Sequence, residues 1–472
     1  MQVVSRSASR WSLRGLSPAP SSSRARATFV CASCRLLQQQ HQQANVPSRR
    51  QRRTFASSAI LRENTQTGPS IPSPPPSSGH ARLRTRRLIS ISGIDAPHFL
   101  QGLITTSIEG NNNAHLNGTI LQPAAQKTPW FYCGFLNALG RVLHDVFVYP
   151  VPSGSGGEPH FMIEVDAAQL TTLLKHLKRY KLRSKIFLRA IEEDEMSVWQ
   201  IWNDAEEAAT SSFTQEEAGG LARNDGRSVM IPDLRAPGMG YRVLTVGADW
   251  NAQALDLPSA LQPAAADGKT DEAAYRVRRY LRGVPEGSAE IIPAQALPLE
   301  SNMDLMGGID FRKGCYVGQE LTIRTRHRGV VRKRILPCML YGEGSAVPTS
   351  LEYRPDAIPS VVGGDDGVDL RGLTIGRHGK KGRSTGMFLA STGNIGLALC
   401  RVQLMSDLVV PNDTATLEFD PAAEFVVQPT TTKDAEGKDV AETGDKETVK
   451  VKAFVPDWLR RRLEEATVKP QH

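Results

Sequence analysis

No run in this 472-residue chain approaches the roughly 18–20 consecutive apolar residues that a membrane-spanning helix requires, so no membrane span is expected. Cysteine is scarce, six in all. Cys133, Cys315, Cys338 and Cys400 are widely separated, which excludes a disulfide scaffold and suits a reducing compartment. Cys31 and Cys34 form one Cys-Ala-Ser-Cys element without the second pair that a zinc site wants. His98, His115, His144, His160, His176 and His327 show no i,i+4 spacing, and metal binding by this chain alone is not expected.

Acidic residues are absent from the first 62 positions, and Glu63 is the first. The same stretch has eleven arginines, no lysine and many serines, the composition of a mitochondrial presequence. Arg53-Thr54-Phe55-Ala56-Ser57-Ser58 has the form of a processing site, with a second trim near Arg62. Without residues 1–62 the net charge of +8 falls to about −3, because eleven arginines leave with them. The basic balance thus belongs to the leader, and nucleic acid is not an expected partner.

Residues 63–80, rich in Pro, Ser and Gly, predict a disordered linker, with order beginning near Arg82. Leu88–Ile91 alternates like a strand, Asp95 is placed to cap a short helix, and two apolar runs around Asn137-Ala138-Leu139-Gly140 predict a hairpin. Further strands are expected at Phe161–Val165, Lys185–Ile191, Val198–Trp202 and Tyr241–Val246. Helices are expected after Asp166 and over Glu272–Arg282, the latter stopped by Gly283. Beyond residue 330 the pattern changes to short β-type runs, Val330–Leu340, Ile395–Leu404 and Ala415–Phe419, which suggest a small barrel. The expectation is an α+β chain: two α+β lobes over 81–335 with a loop at 204–235, then a barrel over 336–465. Disordered insertions are expected near 345–369 and 427–449.

The richest motif is Lys313-Gly314-Cys315-Tyr316-Val317-Gly318-Gln319-Glu320. Glycines on both sides allow tight backbone and close approach, and Arg312 and Lys313 are cations of the kind that favour a thiolate. Against this, a lone cysteine is commonly a small buried hydrophobe. Glu300, Asp304 and Glu320 offer paired carboxylates for acid–base work or for anchoring a heterocycle; equally, they fit a capped turn salt-bridged to Arg312 or Arg324. The dense run Arg324, Arg326, Arg328, Arg332, Lys333, Arg334 lacks interleaved aromatics, so it suits an acidic ligand or partner, or a merely solvated strand, better than single-stranded nucleic acid.

The octapeptide, with Glu300, Asn302 and Asp304 upstream and Arg324 downstream, resembles the signature of the YgfZ-type family. Gly93–Leu103, Phe135–Arg141, Lys178–Lys185, Gly382–Gly386 and Gly393–Ala398 resemble further blocks of that family in the same order. The resemblance implies a three-lobed aminomethyltransferase-like fold around a channel that takes tetrahydrofolate, with Cys315 at its mouth as the reactive residue. Glu300, Asp304, Tyr316, Gln319 and Arg324 would then contact the folate. It also implies an assembly factor for late mitochondrial [4Fe–4S] clusters in the matrix, working with A-type scaffold proteins and holding no cluster on its own. A tetrahydrofolate-dependent aminomethyl or one-carbon transferase is the alternative. Against it, the transferase branch carries paired acids where this chain reads His144-Asp145, and lacks a cysteine at the Cys315 position.

Overall fold

The computed structural model describes residues 72–108, 131–151, 157–205, 228–247, 270–357, 359, 362, 369–380, 383–410, 419–428, 431–433, 439–441 and 448–467. The expected presequence, the processing site, the first part of the linker and residues 415–418 of the last expected β-type run lie outside them. In chain order the elements are β1 Ser78–Arg82, β2 Arg86–Ser92, α1 Ala96–Gln101, β3 Phe131–Leu136, β4 Val142–Val151, β5 His160–Asp166, α2 Leu170–Lys181, β6 Phe187–Ala190, β7 Met196–Asn203, β8 Ser228–Pro232 and β9 Tyr241–Val246. Then come α3 Glu272–Arg282, α4 Gln319–Arg328, β10 Lys333–Tyr341, β11 Thr374–Arg377, β12 Gly386–Thr392, β13 Ile395–Arg401, α5 Val402–Met405, β14 Phe425–Gln428, β15 Thr431–Lys433, β16 Asp439–Ala441, β17 Lys450–Ala453 and α6 Asp457–Thr467.

The strands form three main antiparallel units. One sheet has the order β3-β4-β5-β2-β6, a second β1-β7-β9-β8, and β10-β13-β12-β11-β14-β17 close into a barrel. β15 and β16 form a separate ribbon. Among the described residues helices and strands are interspersed without parallel β-α-β crossovers, so the fold is α+β with a C-terminal barrel, as the sequence pattern predicts. The β3–β4 hairpin and the Tyr241–Val246 and Glu272–Arg282 elements stand where expected. Asp271 caps α3 by accepting from Ala274 N at 2.9 Å, and Gly283 ends it at φ 67°. The last helix ties barrel to lobes: Trp458 Nε1 donates to Arg282 O at 2.8 Å, and Arg462 Nη1 donates to the carbonyls of Leu305 and Arg235.

Several boundaries differ from the sequence expectation. Order begins before Arg82: Ser78–Arg82 pairs with β7, so the end of the expected linker is an edge strand, its backbone satisfied by its neighbour. The expected loop at 204–235 ends in strand β8, which pairs with β9. Within the expected insertion at 345–369, Leu351 and Tyr353 pack on the barrel-side core, and Tyr353 Oη donates to Pro72 O at 2.6 Å. Residues 425–428, at the edge of the second insertion, belong to the barrel because they pair with β11. Asp95 does not cap α1 through its side chain; its Oδ2 accepts from Lys185 N at 2.6 Å and pins the turn after α2 instead.

Candidate functional site

The octapeptide forms a turn held from beneath. Asp310 Oδ1 accepts from the backbone of Arg312 at 2.8 Å and Lys313 at 3.2 Å, which folds the chain back. Lys313 Nζ then donates to three carbonyls, of Gln101 at 2.8 Å, Ile104 at 2.6 Å and Thr106 at 3.1 Å, and lies 4.8 Å from the centre of the Tyr316 ring. Burial draws the Lys313 ammonium down to about 8, against the pull of Cys133 and Asp310. Lys313 is therefore an internal strut of the loop, its ammonium spent on carbonyls, a correction to its expected role as a cation favouring the thiolate.

Tyr316 is only 2% exposed and its hydroxyl has no hydrogen-bond partner, so its ring is part of the core and not a stacking platform. Gln319 Oε1 accepts from Tyr316 N at 3.2 Å, which spends the side chain on closing the turn. Gly318 sits at φ 80°, where a Cβ would lie 2.2 Å from Asn137 O on the β3–β4 hairpin, so only glycine lets the motif lie against that hairpin. Out of this framework Cys315 emerges exposed, whereas Cys133, Cys338 and Cys400 are buried. Burial pushes the thiols of those three upward, away from the thiolate.

Glu300 and Asp304 belong to a second knot at the start of β10. Asp304 accepts both Arg334 Nη1 and Nη2 at 3.0 Å, a bidentate buried pair. Asn302, fully buried at φ 59°, donates to Ile335 O at 2.7 Å and accepts from Arg334 Nη1 at 3.2 Å. The Glu300 carbonyl accepts from Ile335 N, and burial raises the pKa of its half-buried carboxyl, opposed by Lys333, Arg141 and Arg334. The partner of Asp304 is thus Arg334, not the Arg312 or Arg324 considered from the sequence. Arg324 projects from α4, whose residues Gln319–Arg328 take Arg324, Arg326 and Arg328 of the basic run into a helix, while Lys333 and Arg334 open β10.

A third constellation was not visible in the motifs. Arg86, Arg235, Arg242 and Arg279 are buried with Asp145, Asp233, Glu164, Glu286 and Glu290. Glu286 Oε2 meets Arg242 Nη2 at 2.7 Å, Arg235 Nη1 at 2.8 Å and Tyr275 Oη at 2.9 Å. Both guanidiniums lie 4.9 Å from the centre of the Phe147 ring. Burial alone would raise the Glu286 carboxyl; Arg242, Arg235, Arg86 and Arg279 hold it well below the usual carboxylate range. Asp145 goes the other way: burial raises its pKa against Arg86, 3.5 Å away. The sequence signal was an ionisable residue inside an apolar strand, as in Phe161-Met162-Ile163-Glu164-Val165 or Tyr241-Arg242-Val243, because such a charge demands a buried partner.

His144 beside it is buried, its Nδ1 has no partner, and burial followed by His176 lowers its pKa to about 4, so the ring is neutral. His144, Asp145, Asp166 and Ser288 help line a recess with no room inside for even a water-sized sphere, so it is not a ligand pocket as arranged. Of the five residues expected to contact tetrahydrofolate, Asp304 is paired with Arg334, Tyr316 is buried and Gln319 closes the turn, so these three are not free to meet a ligand as arranged. Among the described residues no group of three or more His, Cys, Asp or Glu side chains is placed to hold a metal ion, and no helix is long and apolar enough to cross a membrane.

No family model matches the chain. Curated proteins do. The iron–sulfur cluster assembly factor IBA57 homolog, mitochondrial, of Pyricularia oryzae is 47% identical over 386 residues, covering 82% of this chain and 86% of that protein. Its namesake in Neurospora crassa is 42% identical over 442 residues, covering 92% and 88%, and that of Aspergillus clavatus is 41% identical over 446 residues, covering 92% and 90%. Among solved structures, the glycine cleavage system aminomethyltransferase T of Bartonella henselae matches with a TM-score of 0.47 at 12% identity, over 80% of this chain and 85% of that one. With identities above 40% along most of both sequences, the chain belongs to the family of proteins named mitochondrial iron–sulfur cluster assembly factor IBA57 homologs.

Proposed function

We propose that this chain acts in the mitochondrial matrix as an assembly factor for late [4Fe–4S] clusters, of the YgfZ branch of aminomethyltransferase-like proteins, and that Cys315 is its working residue. The observation that carries the reading is the contrast among thiols: Cys315 is exposed on a rigidly supported turn and the other three described cysteines are buried. A thiolate there can ligate iron, but clusters take several such ligands. One cysteine therefore makes this chain a contributor to a shared site, with the remaining ligands supplied by an A-type scaffold protein. The names of its relatives, as mitochondrial iron–sulfur assembly factors, support the same direction.

The transferase alternative receives less support. His144 is neutral and buried, Asp145 is tied to Arg86, and the adjoining recess has no room for a ligand as arranged. The deciding experiment depletes the endogenous protein and assays aconitase and glycine cleavage in parallel. Loss of aconitase with intact glycine cleavage is expected; the reverse pattern would overturn the reading in favour of one-carbon transfer. In the same cells Cys315→Ala and Cys315→Ser are expected to fold and accumulate normally yet leave aconitase unrestored. Full rescue by Cys315→Ala at matched protein level would remove the thiol from the function. The leader is tested by mass spectrometry of the endogenous chain, with a mature N-terminus expected between about Phe55 and Glu63 and an intact Met1 as the contrary result.

A further inference from the structure

Helix α4 is oddly naked for its position. Its N-cap is Gly318, three residues after Cys315, and only Thr322 of its ten residues is buried. A helix with so little packed surface and no apolar stripe contributes little to the core. Its exposed residues are Glu320, Arg324, Arg326, His327 and Arg328. Among the described residues, Arg324 and Arg328 meet no carboxylate, although Glu320 lies one turn from Arg324; Arg326 is held 5.1 Å over the Phe311 ring. Cations in a last turn complement the helix dipole, worth about 0.3–1 kcal/mol each at an exposed end. That accounts for Arg326 and Arg328 but not for Arg324 in the middle. The accumulation is also local, since the chain beyond residue 62 carries a net charge of about −3 by the count of its acidic and basic residues.

The helix does not stand alone. The β3–β4 hairpin lies against it: a Cβ on Gly140 would come within 2.9 Å of Gly318 O and Leu321 Cβ. The hairpin tip presents Leu139, 73% exposed, an apolar knob that stands out from the described residues. One continuous surface therefore holds an accessible thiol, a cationic helix and a single apolar projection.

We propose that α4 and the Leu139 tip form the docking surface for a protein partner whose matching face is acidic with a small apolar recess, the cations steering encounter and Leu139 retaining the complex. This rests on the reading of Cys315 given above and specifies how its partner is selected. A protein is favoured over other polyanions by the features present. No aromatic side chain is interleaved among the α4 cations to stack bases, and one leucine gives no bilayer anchor.

The test is stopped-flow association of the mature chain with the A-type scaffold protein of the same organism at 20 and 300 mM NaCl. Wild type is compared with Arg324→Glu/Arg326→Glu/Arg328→Glu and with Leu139→Asp. All four positions are exposed, and circular dichroism checks that the variants fold. Steered encounter predicts an association rate that falls about ten-fold between the two salt concentrations, and by at least about ten-fold in the charge-reversed variant at low salt. Leu139→Asp should raise the dissociation rate and leave association nearly unchanged. A complex that forms with salt-independent rates and tolerates all these changes overturns the surface while sparing the assembly reading. If the scaffold does not bind at all, that reading fails instead, and the surface is decided with a fluorescent decaglutamate peptide. Binding lost on charge reversal supports it. Equal binding by the variant, or tighter wild-type binding to cardiolipin vesicles or a DNA oligonucleotide than to the peptide, overturns it.

Discussion

Removing the Glu286 carboxylate should be one of the costliest single changes this chain can suffer. Its Oε2 is shared by Arg235, Arg242 and Tyr275 within 2.9 Å, and the two guanidinium side chains are 1% and 0% exposed. Glu286→Ala leaves Arg242 only the more distant Glu164, at 3.4 Å, and strips Arg235 of one of its two anions. Breaking a buried pair by deleting one partner typically costs about 3–5 kcal/mol, because a desolvated charge is left uncompensated. For a large body the midpoint falls by roughly 2 °C per kcal/mol, so a drop of about 6–10 °C is expected. Glu286→Gln should lose nearly as much, since it keeps the shape and removes the charge. Urea denaturation followed by the fluorescence of the buried Trp199 and Trp202 measures it. Arg242→Met combined with Glu286→Leu should be less destabilised than the sum of the single changes by about 2 kcal/mol, because neither partner is then left alone. Strict additivity, or a loss below about 1 kcal/mol for Glu286→Ala, would refute the view that this network is a set of mutually dependent buried charges.

Three other outcomes are expected. His144 holds a folded value near 4 against an ordinary 6.5, so on acidification the unfolded chain takes up the proton first. Its contribution is intact above about pH 6.5 and lost progressively towards pH 4, about 1.4 kcal/mol per pH unit and about 3 kcal/mol in all. His144→Leu should flatten the stability profile in that window, and identical profiles would contradict it. Gly318→Ala should destabilise by about 2–4 kcal/mol and displace the motif, since the added Cβ would strike Asn137 O at 2.2 Å; denaturation and a changed alkylation rate at Cys315 report it. Native-state alkylation with peptide mapping should label Cys315 first, with Cys133, Cys338 and Cys400 reacting only on unfolding; early labelling of any of the three would refute their burial.

Local signals along the chain set the element types of the strongly patterned segments and the position of the motif. The alternation of Tyr241–Val246, the Asp271–Gly283 bracket on α3 and the hairpin around Asn137–Gly140 are local matters, decided by backbone propensity and turn chemistry. The same locality makes the glycine-flanked Cys315 legible, because a turn needs only its own residues. Edge strand β1 was hidden in a Pro- and Ser-rich stretch, since its strand character comes from pairing with β7 and not from its own composition. Only tertiary packing decided where charges end. Lys313 follows Arg312 in the chain, yet its ammonium turns inward to carbonyls of the segment 101–106, some two hundred residues away in sequence. Asp304 finds Arg334 and not Arg324, and nine ionisable residues from 86 to 290 converge where no spacing rule links them. An ion pair is fixed by distance in space and by the cost of an unpaired buried charge, and neither is written in the neighbours of a residue along the chain.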